Sequence, residues 1–336
     1  MTTRSSTTMR ALRPDAAGDP ADLRETVVDV PAIGADDVLV EVRAASINRS
    51  DMLACRGVLP GPFPRILGRD FAGVVIEGPE SLVGTSVWGS GGGDLGLDRD
   101  GTYAQYLAVS RDALTALPQG LSFVDAAASA LAFFTAAYAL RLTGQIESGS
   151  TFIATGAAGG VGGAAAAIAR GDGAHVVAVV RNDDEAALVR EAGFDTVVID
   201  GPDIATDIAE AVGTDGAAAA VDAVGGKLAG HLLRAMGQNG RYVLLSTPPD
   251  EVPSEVDLLD LYRKSLVVKG LYTGRVSAAD AAEMLRELTP RIEDGSLPPV
   301  RVDRTYPLAE AATAFGTLGP NARGRAVLLP HGSESI

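Results

Sequence analysis

Residues 151–162 constrain the fold more than any other part of this chain. A short apolar run, Thr151–Thr155, leads into a glycine-rich turn, and an alanine-rich segment follows over residues 162–170. This order predicts a strand, a tight turn and a helix. Backbone N–H groups at the N-terminus of such a helix face a pyrophosphate.

The glycines of this turn have separate roles. Gly159 and Gly160 allow the backbone to approach phosphates, and Gly162 allows the helix to pack close to the strand. Ala157 stands where such turns usually have their first glycine. A glycine-rich turn alone is a weak signal of nucleotide binding, so the next element matters.

The second strand of the predicted nucleotide fold is His175–Val180, a continuous apolar run typical of a strand buried on both faces. At the end of this strand, an acidic residue binds the 2′-hydroxyl of NAD, whereas an arginine accepts the 2′-phosphate of NADP. Arg181 follows directly, and its guanidinium matches a phosphate bidentately. The sequence therefore favours NADPH, although a solvated Arg181 paired with Asp183 or Asp184 is the alternative.

Composition narrows the class of protein. A chain of 336 residues is long enough for two domains, and its net charge of −15 argues against binding to nucleic acid or anionic membranes. Cys55 is the single cysteine, which excludes an internal disulfide and fits a reducing cytoplasm. The apolar stretch 126–140 is predicted to be too short and alanine-rich for a membrane span, and no signal peptide is recognised. We expect a soluble cytoplasmic protein.

The pattern of apolar runs changes near residue 124. Before it, short runs such as 38–44 and 71–76 are divided by glycine and proline, which predicts a β-rich, barrel-like domain. After it, apolar runs alternate with helical patterns, which predicts a doubly wound parallel sheet. The run 323–329 is predicted to be a strand that returns to the β-rich part.

Several segments resemble the motifs of one enzyme family, in the family's order along nearly the whole chain. They span residues 38–51, 66–75, 101–106, 157–162 and 221–226. On these motifs the chain is similar to the medium-chain dehydrogenases/reductases of the zinc-independent quinone oxidoreductase (zeta-crystallin-like) type. The resemblance implies an α/β fold with a GroES-like β-rich catalytic domain, a Rossmann domain and an active site in the cleft. The predicted divisions are a disordered extension at 1–8, the catalytic domain at 9–124 and 273–336, and the Rossmann domain at 125–272.

Zinc-containing relatives place a Cys before the Asp of the first motif and a His-Glu pair after the Gly of the second. The corresponding positions here hold Asn48, Arg69 and Asp70. Catalytic zinc requires three N, S or O ligands and an open position. The histidines His175 and His231 lie elsewhere, as does His331, and the four-cysteine structural zinc loop is absent. The resemblance therefore implies a zinc-independent protein.

Asn48 is the candidate for a polar group near the nicotinamide or the substrate carbonyl, because it matches the family's Asn-x-x-Asp pattern. Asp51, also assigned to the catalytic site, orients the loop or has a purely structural role. Ser246 and Tyr272 end predicted strands at the carboxyl side, where ligands bind in open α/β sheets, although Tyr272 fits a core position equally well. The residues predicted to contact the cofactor are Thr135, Ala157, Gly159, Gly160, Val161, Arg181, Asn182, Val224, Ser246, Tyr272, Asn321 and Arg323.

Without a metal, the oxidation of simple alcohols is difficult, whereas an activated acceptor needs less help. Hydride addition to a quinone or an α,β-unsaturated carbonyl spreads negative charge onto an oxygen that hydrogen-bond donors stabilise. We therefore predict an NADPH-dependent reductase of quinones, enones or enoyl compounds. The alternatives are a ketone reductase, a cyclisation enzyme and a non-catalytic NADPH-binding protein. The resemblance also implies a homodimer through the edge of the Rossmann sheet, with residues 266–272 as the edge strand.

Overall fold

A computed structural model describes residues 6–248, 251–319 and 322–332. In chain order, its strands are β1 (Thr8–Ala11), β2 (Thr26–Asp29), β3 (Asp37–Ser46), β4 (Asp70–Glu77), β5 (Ser86–Ser90), β6 (Tyr106–Ser110), β7 (Thr115–Ala116), β8 (Thr151–Thr155), β9 (His175–Val180), β10 (Thr196–Ile199), β11 (Ala217–Asp222), β12 (Met236–Leu244), β13 (Val267–Gly270), β14 (Val302–Pro307) and β15 (Arg325–Leu329). Its α-helices are α1 (Arg49–Cys55), α2 (Phe123–Thr143), α3 (Gly160–Gly171), α4 (Asp183–Glu191), α5 (Ile204–Val212), α6 (Lys227–Ala235), α7 (Leu258–Arg263), α8 (Ala278–Glu293) and α9 (Ala311–Gly316).

The chain divides into two compact units. The β-rich unit consists of Met1–Phe134 and Thr273–Ile336, and the parallel-sheet unit is Thr135–Tyr272. The first boundary lies inside helix α2, later than the predicted boundary at residue 125, because this long helix runs from one unit into the other. Strand β1 begins at Thr8, the last residue of the predicted extension.

The parallel-sheet unit contains six strands in the order β10-β9-β8-β11-β12-β13, and every neighbouring pair is parallel. This is the doubly wound dinucleotide-binding order, and its topological switch lies between β8 and β11. Strands β8, β9 and β11 are mostly buried and consist largely of Val, Ile and Ala, as expected for strands covered on both faces. The α/β fold class predicted from the sequence is thus confirmed.

Helix α3 explains the alanine-rich segment of the sequence. Its residues Ala164–Ala167 and Ala169 are buried, and the helix packs against β8 and β9. Small side chains allow close approach of the helix to the sheet, and a second apolar layer forms around α5 and α6. This packing holds the glycine turn at the carboxyl end of β8.

The β-rich unit contains a seven-stranded sheet in the order β14-β15-β3-β4-β5-β7, in which β6 also pairs with β3. The ten residues of β3 are the centre of this sheet, since β3 pairs antiparallel with β4, β6 and β15. The pairing with β15 confirms that the C-terminal run returns to the β-rich part of the molecule. A core with Phe71, Tyr103 and Phe315 fills the unit.

Helix α2 is longer than the apolar stretch predicted from the sequence. Its 21 residues, with a mean hydropathy of 1.6 over 18 residues, reach the length and composition of a membrane-crossing helix, so the prediction that it is too short is wrong. However, 67% of that window is buried inside the protein, as in the core helix of a globular fold. The helix is alanine-rich, and its residues Ala126–Ala128 and Phe134 are buried.

Candidate functional site

The glycine turn has the geometry that the sequence predicts. Strand β8 ends at Thr155, Gly156 has a left-handed φ of 59°, and Gly159 is the N-cap of α3. A Cβ atom on Gly162 would lie 2.2 Å from the carbonyl oxygen of Thr155, so only glycine fits there. The turn is therefore held tightly against the end of the strand.

The first turn of α3 presents backbone donors. Gly163 N–H makes the intrahelical bond to Gly159 O at 3.0 Å, so Gly160 and Val161 precede this bond. Such N–H groups and the helix dipole favour an anion. Ala157, buried, donates its N–H to Val179 O at 3.2 Å, which ties the turn to β9. The predicted phosphate-binding residues are thus together in one turn.

A buried carboxylate joins strands β8 and β11 at the topological switch of the parallel sheet. Asp222, the last residue of β11, accepts from Thr155 Oγ1 at 2.6 Å and from the backbone N–H groups of Val224 and Gly225 at 2.9 Å each. Its other oxygen accepts from the hydroxyl of Tyr242. Burial and the adjacent Asp222 charge hold the pKa of Tyr242 well above its usual value. Asp222 therefore joins the ends of β8 and β11 beside the glycine turn.

Sequence reasoning did not assign roles to Asp222, Thr155 or Tyr242. The signal was present for Thr155 and Asp222, because each is a polar residue that ends an otherwise apolar strand. Of the predicted cofactor residues in this loop, Val224 contributes its backbone N–H to Asp222. Its side chain is half-buried.

Arg181 directly follows β9, as predicted, but its ion pair differs from the one considered in the sequence. The guanidinium contacts Glu185 through Nε, at 2.8 Å from Oε1, and through Nη2. The Arg181 backbone N–H donates to the second carboxylate oxygen at 3.0 Å. Neither Asp183 nor Asp184 is this partner. Asn182 is the N-cap of α4, and its side chain accepts from the backbone N–H of Glu185 at 3.0 Å.

The remaining predicted cofactor residues come from separate segments of the chain, and Ser246 packs against Gly225 in the loop after β11. Thr135, in α2, is buried, and its hydroxyl makes no hydrogen bond to any part of the chain that the structure describes. Ser246 and Tyr272 lie two residues beyond the ends of β12 and β13, and Tyr272 is 49% exposed, which excludes the core role. Arg323 is an exposed residue of the β-rich unit, and Asn321 lies outside the described residues.

In the β-rich unit, Asn48 and Asp51 begin helix α1 and are both buried. Asn48 is the N-cap, and its backbone N–H donates to Asp51 Oδ2 at 2.7 Å. The Tyr103 hydroxyl donates to the same oxygen at 2.8 Å and lies 3.1 Å from Ser46 O. The geometry of Asp51 matches the structural role, because it caps the helix that carries Asn48.

Asp70 joins this cluster from the start of β4. Asn48 Nδ2 donates to Asp70 Oδ2 at 2.8 Å. Beside it, the buried Arg69 guanidinium donates to Gly92 O and to Ser50 Oγ, the latter at 3.2 Å. Within residues 6–248, 251–319 and 322–332, no hydrogen-bond partner is found for Asn48 Oδ1, Asp51 Oδ1 or Asp70 Oδ1, and all three atoms are buried.

Burial dominates the electrostatics of this cluster. It raises the pKa of Asp70 to about 6, and the neighbouring Ser90 and Asn48 side chains oppose this change. It also raises the pKa of Asp51, although the Arg69 charge opposes the change. The pKa of Tyr103 is held well above its usual value by burial and by Asp51. The Asp70 carboxyl group therefore titrates near pH 6, whereas the Tyr103 hydroxyl keeps its proton.

The donor set does not fit a zinc ion. Asn48, Arg69 and Asp70, which stand at the positions of zinc ligands in zinc-containing relatives, hold one carboxylate, one amide and one guanidinium that has no lone pair to offer. Across the described ranges, no group of three or more His, Cys, Asp or Glu residues is placed to hold a metal ion.

Two protein families match the chain over these elements. The alcohol dehydrogenase GroES-like domain matches residues 34–119, and the zinc-binding dehydrogenase family matches residues 160–290. The first range lies within the β-rich unit and includes the Asn48 cluster. The second begins at the glycine turn.

Individual proteins extend this similarity. The putative quinone oxidoreductase YhfP of Bacillus subtilis is 33% identical over 266 residues, which cover 75% of this chain and 78% of that protein. A mycocerosic acid synthase-like polyketide synthase of Mycobacterium tuberculosis is 34% identical over 334 residues, 95% of this chain but only 15% of that protein. The crystal structure of an NAD-dependent alcohol dehydrogenase superposes with a TM-score of 0.84 at 28% identity, covering 96% of this chain and 99% of the other.

Proposed function

Because this chain belongs to the medium-chain dehydrogenase/reductase family, of the quinone oxidoreductase type, we propose that it is an NADPH-dependent reductase of quinones or α,β-unsaturated carbonyls that works without a metal. Members of this family are oxidoreductases that bind a nicotinamide cofactor. The cofactor preference, the acceptor and the independence from zinc are the parts that we propose.

The observation that carries the proposal is the cluster of Asn48, Arg69 and Asp70. A metal-dependent alcohol dehydrogenase needs a Lewis acid at this point to lower the pKa of the alcohol. Here a hydrogen bond joins the amide of Asn48 to Asp70, and an arginine holds neighbouring backbone and hydroxyl oxygens. This arrangement favours reduction of an acceptor that is already activated by conjugation.

The parallel-sheet unit supports the cofactor assignment. Gly162 leaves room that a Cβ would fill, and the N–H groups of Gly160 and Val161 are available to a pyrophosphate. The buried Thr135 hydroxyl, which lacks a described partner, is a further polar group that a ligand would satisfy. When bound, NADPH supplies a hydride, and the chain supplies orientation and hydrogen bonds.

We assign Asn48 to the acceptor. Asp70 accepts from Asn48 Nδ2, which orients the amide, and this is the one hydrogen bond that Nδ2 makes to the described residues, so its second N–H can donate to a ligand. This N–H is suited to an acceptor oxygen on which negative charge develops during hydride transfer. Because the partner Asp70 holds the amide in place, little reorganisation is needed.

The acceptor class is open to a direct test. One similar protein is named a putative quinone oxidoreductase and another a polyketide synthase, so we propose a quinone and an enoyl-thioester as the two leading acceptors. Oxidation of NADPH would be followed with a quinone, a linear enone, an enoyl-thioester and a saturated ketone. We expect turnover with at least one of the first three and none with the ketone. Tight NADPH binding without turnover of any acceptor would instead favour the non-catalytic alternative.

Removal of metal tests the second part of the proposal. We expect dialysis against a zinc chelator to leave the rate unchanged, because the three positions of the zinc ligands hold one carboxylate, one amide and a guanidinium in Asp70, Asn48 and Arg69. Elemental analysis of the purified chain should find far less than one zinc per chain. Loss of activity on chelation, with recovery on addition of zinc, contradicts a metal-free mechanism.

Replacement of Arg181 tests the cofactor preference. In Arg181→Ala, the loss of a charged contact to the 2′-phosphate should weaken NADPH binding by about 1.5–3 kcal/mol. Binding of NADH, which lacks this phosphate, should change little. Dissociation constants for both dinucleotides would be measured by cofactor fluorescence. If Arg181→Ala weakened the binding of NADPH and NADH equally, Arg181 would not be the ligand of the 2′-phosphate.

We also propose a homodimer through β13. All four residues of this edge strand are exposed, with Val267 at 44% and Val268 at 46%. An apolar, exposed edge favours pairing with a second copy of the strand. Light scattering should give the mass of a dimer, and Val268→Lys should shift the chain towards the monomer. A monomeric wild-type chain would contradict this proposal.

A further inference from the structure

Glu185 is an acidic residue that neither the predicted site nor the proposed reaction includes. Its carboxylate receives three donors from one residue, namely the backbone N–H, Nε and Nη2 of Arg181. The carboxylate is largely covered, with 12% of the Glu185 side chain exposed, whereas the Arg181 side chain is 47% exposed. An anion therefore already occupies the donor set that Arg181 offers.

These three donors are the groups that a phosphate would use. A guanidinium binds carboxylate and phosphate in the same planar manner, and a backbone N–H beside it adds a third hydrogen bond. Arg181 directly follows β9, where the adenosine ribose lies in dinucleotide folds of this strand order. The Glu185 carboxylate thus resembles a 2′-phosphate held by the chain itself.

We propose that Glu185 determines the cofactor preference, because its carboxylate competes with the 2′-phosphate of NADPH for Arg181. This inference rests on the proposed use of NADPH. For NADPH to use the guanidinium, the phosphate must displace the carboxylate, and the displaced charge stays close to the phosphate. NADH lacks the phosphate and binds without breaking the ion pair. Glu185 therefore lowers the preference for NADPH that Arg181 alone would give.

Glu185 also has a structural role, which the test must separate from this one. It is the third residue of α4, and the Asn182 side chain caps its backbone N–H. Glutamine caps this position as glutamate does. The substitution Glu185→Gln therefore keeps the cap and the length of the side chain, and it removes the charge.

Asp183→Asn is the matched control. Asp183 is exposed, lies in the same helical turn, and its replacement changes the net charge by the same amount. Arg181 makes its described hydrogen bonds with Glu185, so the control leaves the ion pair in place. Dissociation constants for NADPH and NADH would be measured by titration of cofactor fluorescence with the wild-type chain and both variants. Thermal unfolding without cofactor would verify that the variants are folded.

In Glu185→Gln, the dissociation constant of NADPH should fall about tenfold. Loss of the competing ion pair, whose arginine is half-exposed, accounts for a factor of about five, and loss of the repulsion between carboxylate and phosphate accounts for the rest. The dissociation constant of NADH should change by less than about twofold, and Asp183→Asn should change the NADPH constant by less than about twofold.

Three results would overturn the inference. The first is that Glu185→Gln lowers the dissociation constants of NADPH and NADH equally. The second is that Asp183→Asn tightens NADPH binding as much as Glu185→Gln does. The third is that Glu185→Gln weakens NADH binding and leaves NADPH binding unchanged. The third would make Glu185 a ligand of the ribose hydroxyl. A wild-type chain that prefers NADH, but prefers NADPH after Glu185→Gln, upholds the role of Glu185 and contradicts the proposed NADPH dependence. A wild-type chain that binds neither dinucleotide contradicts both.

Discussion

Two buried carboxylates, one in each unit, differ in how completely their oxygens are hydrogen-bonded. Asp222 and Asp70 are both fully buried, and each is a terminal residue of a strand, since Asp222 ends β11 and Asp70 begins β4. Asp222 accepts from two hydroxyl groups and two backbone N–H groups, which use both oxygens. Asp70 accepts from Asn48 on one oxygen, and its other oxygen has no hydrogen bond to the described residues.

This difference in hydrogen bonding indicates a structural role for Asp222 and a chemical role for Asp70. Four donors hold the carboxylate of Asp222, which joins the ends of β8 and β11 beside the glycine turn. Asp70 lacks this support, and burial accordingly raises its pKa to about 6. We infer that Asp222 supports the cofactor site mechanically, whereas Asp70 responds to pH and to whatever binds beside it.

The largest expected effect is on the Asp222 network. Asp222→Ala leaves the hydroxyls of Thr155 and Tyr242 and two backbone N–H groups without their acceptor. We expect the free energy of unfolding of the parallel-sheet unit to fall by about 4 kcal/mol. Urea unfolding followed by far-ultraviolet circular dichroism would measure it. The exposed Asp215→Ala in the same unit should cost less than about 0.5 kcal/mol. A loss below about 1.5 kcal/mol for Asp222→Ala would mean that the network is not structural.

The strand order around Asp222 could be predicted from the sequence, but its partners could not. Glycine spacing and the alternation of strands with helices are local patterns, and they correctly indicated the turn and the doubly wound sheet. The hydrogen bond from Thr155 to Asp222 spans 67 residues and depends on the register of β8 against β11. A single sequence does not contain that register.

At the Asn48 cluster and at Arg181, the sequence likewise predicts the residue types but not their contacts. The departure of Asn48, Arg69 and Asp70 from the zinc-ligand pattern is readable from residue types alone. Their mutual contacts are not, because β4 and the start of α1 meet only in the folded unit. At Arg181 the sequence offered Asp183 and Asp184 as partners, but the side chain contacts Glu185. The reason is the start of the helix, since Glu185, the third residue of α4, reaches back past the N-cap Asn182 to the backbone N–H and guanidinium of Arg181.

The next effect concerns the pH dependence of stability. Burial raises the pKa of Asp70 from 3.8 to about 6, so the folded state binds this proton more tightly than the unfolded chain does. Asp70 therefore stabilises the fold below about pH 4, and this contribution, about 3 kcal/mol, is lost as the pH rises through about 6. Asp70→Asn cannot titrate. Its stability relative to the wild type should rise by most of that amount, about 2.4 kcal/mol, from pH 4 to pH 7.

Trp88 is a suitable reporter for this measurement. It is the only tryptophan of the chain, and it is buried in the β-rich unit, which also contains Asp70. Unfolding by urea would be followed by its fluorescence at several pH values between 4 and 7. Asp112→Asn, an exposed substitution of the same chemistry in that unit, is the control. A constant difference between Asp70→Asn and the wild type would show that Asp70 is ionised throughout this range.

The smallest effect comes from a pair of matched substitutions that remove one hydroxyl from each unit. Tyr103→Phe leaves Asp51 with the Asn48 backbone N–H as its described donor, whereas Tyr242→Phe leaves Asp222 with three. Both rings stay in place, and the Tyr103 ring keeps its edge contact with Phe315. Because the cost of losing a donor grows as fewer donors remain, we expect losses of about 2 kcal/mol for Tyr103→Phe and about 1 kcal/mol for Tyr242→Phe. If urea unfolding gave equal losses, the number of remaining donors would not distinguish Asp51 from Asp222, and the contrast in hydrogen bonding between the two units would have no energetic consequence.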